Sequence, residues 1–210
     1  MPHDTTTNYG VAEGGSKVTL EETKTIMLVG VGGQGTILAG QLLAMVAADA
    51  GLDVKVSEIH GMSQRGGSVS TVVRVGAKVD SMIADQGCAD IVVAFEAIEA
   101  LRAQQFVRDG GKLFVNDERI TPVPVNIGLC EMPTGIGKSL NQIGAVRIDA
   151  AGIAKEVGSP RSTNVVLVGA LSTALPFDVE EWEDAIRRRV PPKTVEANLE
   201  AFARGRAAVA

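Results

Sequence analysis

The sequence predicts an α/β domain, and three observations predict it. Apolar runs of strand length, such as Thr25 to Val31 and Asp90 to Phe95, alternate with apolar-periodic stretches of helix length. Glycines and prolines punctuate the joints between them. With 45% hydrophobic and 21% charged residues in a chain of 210, the balance is that of a globular protein able to build one substantial core.

Each element follows in order. Residues 1–23 are polar and rich in Gly and Thr without either period, so a flexible leader is expected there and one domain over 24–210. No basic region followed by an apolar one marks a secretory signal, and the cytoplasm is the expected compartment. Thr25 to Val31 is a continuous apolar strand; Thr36 to Ala50 puts Ile37, Leu38, Leu42, Met45 and Val46 on one helical stripe, which Gly51 stops. Asp53 to Ile59 is a second strand, and a right-handed crossover makes the first two strands parallel.

After a polar loop at His60 to Gly67, Ser68 to Val75 and Val79 to Ala84 read as a hairpin about Gly76-Ala77-Lys78, so the sheet is expected to be mixed though mostly parallel. Asp90 to Phe95 is a buried strand, Glu96 to Val107 a helix stopped by Gly110-Gly111, and Lys112 to Asn116 the next strand. From Pro122 to Gly158 weak periodicity suggests short strands and one short helix.

Thr163 to Leu175 is apolar on nearly all sides and predicts a buried central helix, capped by Ser162 or Thr163 and closed by Pro176. Asp178 can cap the next helix, with Glu180 and Glu181 at its positive end and Arg187 to Arg189 at its negative end. Val195, Leu199 and Phe202 repeat at helical spacing in a last amphipathic helix. The sum is a three-layer, Rossmann-like domain with C-terminal helices.

Composition removes several functions. A net charge of −5, a pI near 5.1 and seven aromatic residues supply neither the basic surface nor the stacking rings of a nucleic-acid binder. The longest low-charge stretches, 36–48 and 164–177, are too short to cross a bilayer about 30 Å thick. Cys88 and Cys130 are remote from each other and form neither a disulfide framework nor a metal motif.

The chemistry concentrates in two glycine-rich loops. Gly30, Gly32 and Gly35 fit G-x-G-x-x-G between a strand and a helix, where backbone amides and a helix N-terminus receive phosphate. A dinucleotide reading then looks for a ribose-binding acid about 20 residues on, where Glu58 lies. The same glycines equally permit a tight turn and close helix packing. Gly33 is expected where a side chain would collide with ligand or neighbouring backbone. Gln34 and Thr36 sit at the helix entrance, to join the backbone donors or to cap, and capping is the expectation for Thr36. Only two histidines exist, His3 in the leader and His60 in the second loop, and no nucleophile-base arrangement is evident.

GVGGQG followed by SEIHGMSQRGGSVSTVVRVG, then NVVLVGAL and EANLEAFARG, resembles the gamma domain of the 2-oxoacid:ferredoxin oxidoreductases, the indolepyruvate-oxidising members above all. HGMSQRGG is the most specific element. The resemblance implies an α/β subunit that binds no cofactor alone but helps form a shared coenzyme A site. Thiamine diphosphate, magnesium and 4Fe-4S clusters would lie in a large partner subunit, which delivers electrons to ferredoxin. The implied reaction is oxidative decarboxylation of indolepyruvate to the acyl-coenzyme A, with the isolated chain inactive. Two cysteines cannot hold a cluster that takes four, and no Gly-Asp-Gly opens a thiamine motif.

Within the second loop Gly61, Gly66 and Gly67 let backbone approach a ligand, while Ser63, Gln64 and Arg65 offer polar contacts. Arg65 suits a phosphate or carboxylate, and equally a salt bridge to the partner subunit. Met62 is read as a gap filler. The candidate binding set is therefore Gly30, Gly32, Gly33, Gln34, Gly35, Ser63, Gln64, Arg65, Gly66 and Gly67, with no catalytic or metal-ligating residue. The competing readings are a free-standing NAD-dependent oxidoreductase and a nucleotide-sensing or scaffold domain.

Overall fold

The computed structural model describes residues 18–60 and 67–210, without the side chain of His60. A six-stranded sheet in the order β2-β3-β1-β4-β5-β6 is built from β1 (Lys24–Val31), β2 (Asp53–His60), β3 (Ser68–Gly76), β4 (Ala89–Ala94), β5 (Val107–Asn116) and β6 (Val146–Ile148). The strands β1, β4, β5 and β6 pair in parallel, and β3 runs antiparallel to both β1 and β2. The mixed, mostly parallel sheet expected from sequence is thus present.

Period-two alternation sorts side chains onto the two faces. Ile26, Leu28, Val73, Val75, Ile91, Val93 and Phe114 enter one core, while Met27, Val29, Val72, Val92, Leu113 and Val115 enter the other. The first core lies under α1 (Thr36–Asp49), α5 (Ala150–Glu156), α6 (Thr163–Ser172), α7 (Val179–Arg189) and α8 (Val195–Ala207). The second lies under α2 (Ala97–Ala103) and α4 (Ile136–Gln142). Two helix layers around one sheet make the predicted three-layer domain.

The centre of the thick layer is α6, whose residues from Asn164 to Ser172 are all buried. It meets α8 at backbone distance. A Cβ on Gly169 would stand 2.2 Å from the carbonyl oxygen of Phe202, and one on Gly205 would stand 1.9 Å from that of Val166. The arginines ending α7 hold that helix to α1: Arg188 pairs with Asp49, and Arg189 donates to Gln41 at 2.9 Å. At its start the Glu181 carboxylate accepts from the Asp178 backbone N–H at 2.9 Å. The charge pattern read as helix-end electrostatics therefore also fixes helix to helix.

Four expectations are corrected. β1 and β2 do run in the same direction, but β3 stands between them, because β3 pairs antiparallel with β2 rather than with a strand after Gly76. Residues 77–86 form no strand. The helix after β4 ends at Ala103, a short 3-10 turn follows, and β5 begins at Val107, with a register shift opposite Ala89 to Ile91 absorbing Gly110-Gly111. Between Pro122 and Gly158 there are three short helices, with α3 (Val123–Asn126) the first, and one strand, the reverse of the expected balance.

Candidate functional site

At the carboxyl ends of β1 and β4 the chain leaves the sheet in opposite directions. The helix after β1 covers one face and the helix after β4 covers the other. Neighbouring parallel strands whose helices diverge leave a crevice, the switch point where ligands of open α/β sheets bind. The first glycine loop lies at this point.

The turn is built by a specific set of contacts. Gly33 and Gly35 have φ of +102° and +83°, a left-handed geometry that costs other residues energy. The Gln34 side chain folds inward: its Oε1 accepts from the Val31 backbone N–H at 2.7 Å and its Nε2 donates to the Phe95 carbonyl at 2.9 Å. Asn116 Nδ2 donates to the same carbonyl at 3.2 Å, and Asn116 Oδ1 accepts from the Ala150 N–H. One carbonyl at the end of β4 thus anchors both the glycine turn and β5.

The glycines approach different things. A side chain on Gly30 would meet Gln34 and Phe95 at 2.8 and 2.9 Å, and one on Gly35 would meet Asn164 Nδ2 at 2.4 Å. Both positions are closed by protein. At Gly33 nothing among the described residues lies within 4 Å of an added Cβ, so the expected collision with neighbouring backbone is not found there. Toward the described residues its requirement is conformational, and its outward face is open to them. Thr36 is buried at the start of α1 and makes no side-chain cap, Gly35 being the N-cap residue. The first intrahelical bond runs from Ala39 N–H to Gly35 carbonyl at 3.2 Å, so the amides of Thr36, Ile37 and Leu38 precede the ladder. Open space beside Gly33 and amides at a helix start fit an anionic group such as a phosphate.

The second loop joins this turn. Antiparallel pairing sets Val31 opposite Ser68, and the Gly32 N–H donates to the Gly67 carbonyl at 2.9 Å. Gly30, Gly32, Gly33, Gln34, Gly35 and Gly67 are therefore gathered at one end of the sheet. Gly61, Met62, Ser63, Gln64, Arg65 and Gly66 lie outside the described residues. The ribose acid of the dinucleotide reading is displaced: Glu58 is on β2, and with β3 intervening it sits two strand spacings, roughly 9 to 10 Å, from β1.

Sequence reasoning missed several polar residues beside the crevice. Glu96 is almost fully buried and accepts from the N–H groups of Ile98, Glu99 and Ile120 at 2.7, 2.9 and 3.2 Å. Burial holds its carboxyl above the ordinary 4.5, the backbone donors opposing that shift and the neighbouring Glu99 carboxylate adding to it. Glu99, also buried, accepts from the Ser68 hydroxyl at 2.6 Å and pairs with Arg102 at 2.7 Å. Two acids directly after a buried strand were the available signal. Asn164, a lone amide opening an apolar helix, was another.

Comparison with known proteins agrees with this geometry. Residues 25–208 match the family model described as pyruvate ferredoxin/flavodoxin oxidoreductase. The indolepyruvate oxidoreductase subunit IorB of Thermococcus kodakarensis is 42% identical over 187 residues, covering 86% of this chain and 93% of that one. Among solved structures, the gamma subunit of a keto/oxoacid ferredoxin oxidoreductase from Geobacter sulfurreducens shares the fold with a TM-score of 0.65 at 24% identity, covering 89% of this chain and 98% of that one. A 2-oxoglutarate:ferredoxin oxidoreductase from Magnetococcus marinus, solved with 2-oxoglutarate, coenzyme A and succinyl-CoA, gives a TM-score of 0.70 at 24% identity over 90% of this chain and 31% of that one. The resemblance carried by the two glycine loops extends through the whole domain, and the chain is a member of the pyruvate ferredoxin/flavodoxin oxidoreductase family.

Proposed function

We propose that this chain is the small subunit of an indolepyruvate:ferredoxin oxidoreductase, supplying the coenzyme A side of a shared site to a large subunit. The observation that carries the reading is the 42% identity to an indolepyruvate oxidoreductase subunit across 93% of that subunit's length. The reaction is the oxidative decarboxylation of an aryl 2-oxoacid to its acyl-coenzyme A, with ferredoxin taking the electrons, in the cytoplasm. Thiamine diphosphate, magnesium and 4Fe-4S clusters belong to the large subunit, where the thiamine supplies the carbanion stabilisation that decarboxylation needs.

This chain's own contribution is positioning. Gly33 exposes backbone beside the start of α1, Gly32 bonds the second loop, Gly35 is the N-cap of that helix, and Gln34 braces the turn against Phe95. The bond from Gly32 to Gly67 ties the end of the second loop to this turn, which supports assigning Ser63, Gln64, Arg65 and Gly66 to the same ligand. Anionic coenzyme A suits amides and a guanidinium. The position of Glu58, two strands from β1, argues against an NAD ribose at this turn.

The test is reconstitution. The purified chain alone should be colourless and inactive with indolepyruvate, coenzyme A and a viologen acceptor, and co-expression with the large subunit should give coenzyme A-dependent reduction. Turnover or a cluster spectrum from this chain alone would overturn the reading, as would a co-purified pair that reduces the acceptor without coenzyme A.

A further inference from the structure

The helix layer over the second face is incomplete. α2 packs on β1, β4 and β5, and on this face the stretch of β2 and β3 beside it carries no helix among the described residues. A cleft of about 510 Å³ remains there, floored by Val29, Val72 and Ile59 and walled by Met82, Ile83 and Phe106. Met82 is 50% exposed, Ile59 61% and Ile83 72%. Apolar side chains of this size gathered at one place are a recognised mark of an interaction surface rather than of scattered surface residues. The charged groups in the cleft are occupied with each other, since Glu99 is held by Arg102 and also by the Ser68 hydroxyl. What the cleft offers an occupant is mainly apolar area.

Resting on the subunit reading above, we propose that this cleft is a docking surface for an apolar segment of the large subunit. Two observations choose that occupant. Ile59 and Ser68, both in the cleft lining, stand close to the two roots of the second glycine loop, and the loop's Gly67 is bonded to the first glycine turn. The cleft therefore opens beside the crevice that an outside chain would complete. In the Magnetococcus enzyme the matching fold makes up 31% of a longer chain, so a domain of this shape occurs covalently joined to the remainder of an oxidoreductase. The cleft and the crevice then form one continuous contact, with apolar anchoring beside a polar ligand site.

Met82→Asp with Ile83→Asp tests this, because both residues sit on an exposed non-strand segment where folding is indifferent to the change. Leu129→Asp, in an exposed loop away from the cleft, is the control. With the large subunit co-expressed, the double variant should bind it at least tenfold more weakly than the parent, with an unchanged circular dichroism spectrum and melting temperature, while Leu129→Asp binds normally. A photo-crosslinking amino acid in place of Ile83 should attach to an apolar stretch of the large subunit. Normal association of the double variant overturns the proposal and leaves the subunit reading intact. Failure of the parent itself to associate overturns both. A crosslink only to a second copy of this chain assigns the cleft to self-association and overturns the proposal.

Discussion

Gly35→Ala should destabilise the protein through a named collision. The substitution places a Cβ 2.4 Å from Asn164 Nδ2, in a residue whose φ is +83°. Left-handed backbone costs a side-chain-bearing residue about 1–2 kcal/mol, and overpacking a closed site adds about 1–3 kcal/mol. Reduced freedom of the unfolded chain returns about 0.4–1 kcal/mol. The net loss is about 1–4.5 kcal/mol on these terms. Gly33→Ala is the internal control, with φ of +102° and nothing among the described residues within 4 Å of the new carbon. It carries the backbone cost alone, about 0–1.5 kcal/mol.

Urea unfolding followed by circular dichroism measures both, and a double-mutant cycle separates the causes. Asn164→Ala removes the obstructing amide, together with the bond from Val165 N–H to Asn164 Oδ1 at 2.9 Å. In that background Gly35→Ala should cost no more than Gly33→Ala, giving a coupling of about 1–3 kcal/mol. Equal costs at positions 33 and 35 in the parent, or a coupling near zero, would refute the claim that Gly35 is closed by protein.

Three further outcomes are expected. Gly205→Ala gains about 1 kcal/mol of helix propensity, yet it drives a Cβ to 1.9 Å from the Val166 carbonyl, an overpacking cost of about 3 kcal/mol, so a net loss of about 2 kcal/mol should appear in the same unfolding assay; a more stable variant would contradict the close approach of α6 and α8. The raised folded-state pKa of Glu96 contributes stability below its ordinary 4.5 that is lost as pH rises through the raised value. The stability of Glu96→Gln relative to the parent should therefore improve over that rise, and a flat difference between the two pH profiles would refute the burial argument. Arg65→Met in the reconstituted enzyme should weaken coenzyme A dependence about 10- to 150-fold, from lost charge-assisted bonds of about 1.5–3 kcal/mol, whereas failed assembly with normal coenzyme A dependence would place Arg65 at the subunit contact.

How far the sequence could be read depended on the range of the interactions. The strand at Thr25 to Val31, the glycine turn and the helix after it were legible because one apolar run, one φ requirement and one periodicity each settle locally. The central helix was legible because apolar residues surround it on every side. The insertion of β3 between β1 and β2 was not, since strand order is decided by pairings between residues as distant as Lys24 and Val75. Residues 122–158 failed for another reason: α3, α4 and α5 are 4 to 7 residues long, too short for a period to accumulate.

In the site, the glycines identified the place but not their individual reasons. Three of them look alike in the sequence, yet Gly30 is closed by Gln34 and Phe95, Gly35 by Asn164, and Gly33 by nothing among the described residues. Asn164 lies 129 positions from Gly35, and only the packed structure brings them together. Thr36 has a capping side chain but occupies the position after the cap. The acids Glu96 and Glu99 followed a buried strand in plain view, and their burial beneath the crevice became apparent only once α2 was laid on the sheet.

The place of β3 also has a consequence for the order in which the protein assembles. β1 cannot close its antiparallel edge until β3 exists as a strand, and β3 meets β2 across a short local connection long before it meets β1, which lies some fifty residues upstream at Lys24 and Val75. Closing the shorter loop costs less chain entropy, so the β2-β3 hairpin is the expected early unit and its capture by β1 a later step. Pulsed hydrogen exchange during refolding should then protect hairpin amides no later than those of β1. The length of the connection at 61–67 would then set the speed with which two strands find each other.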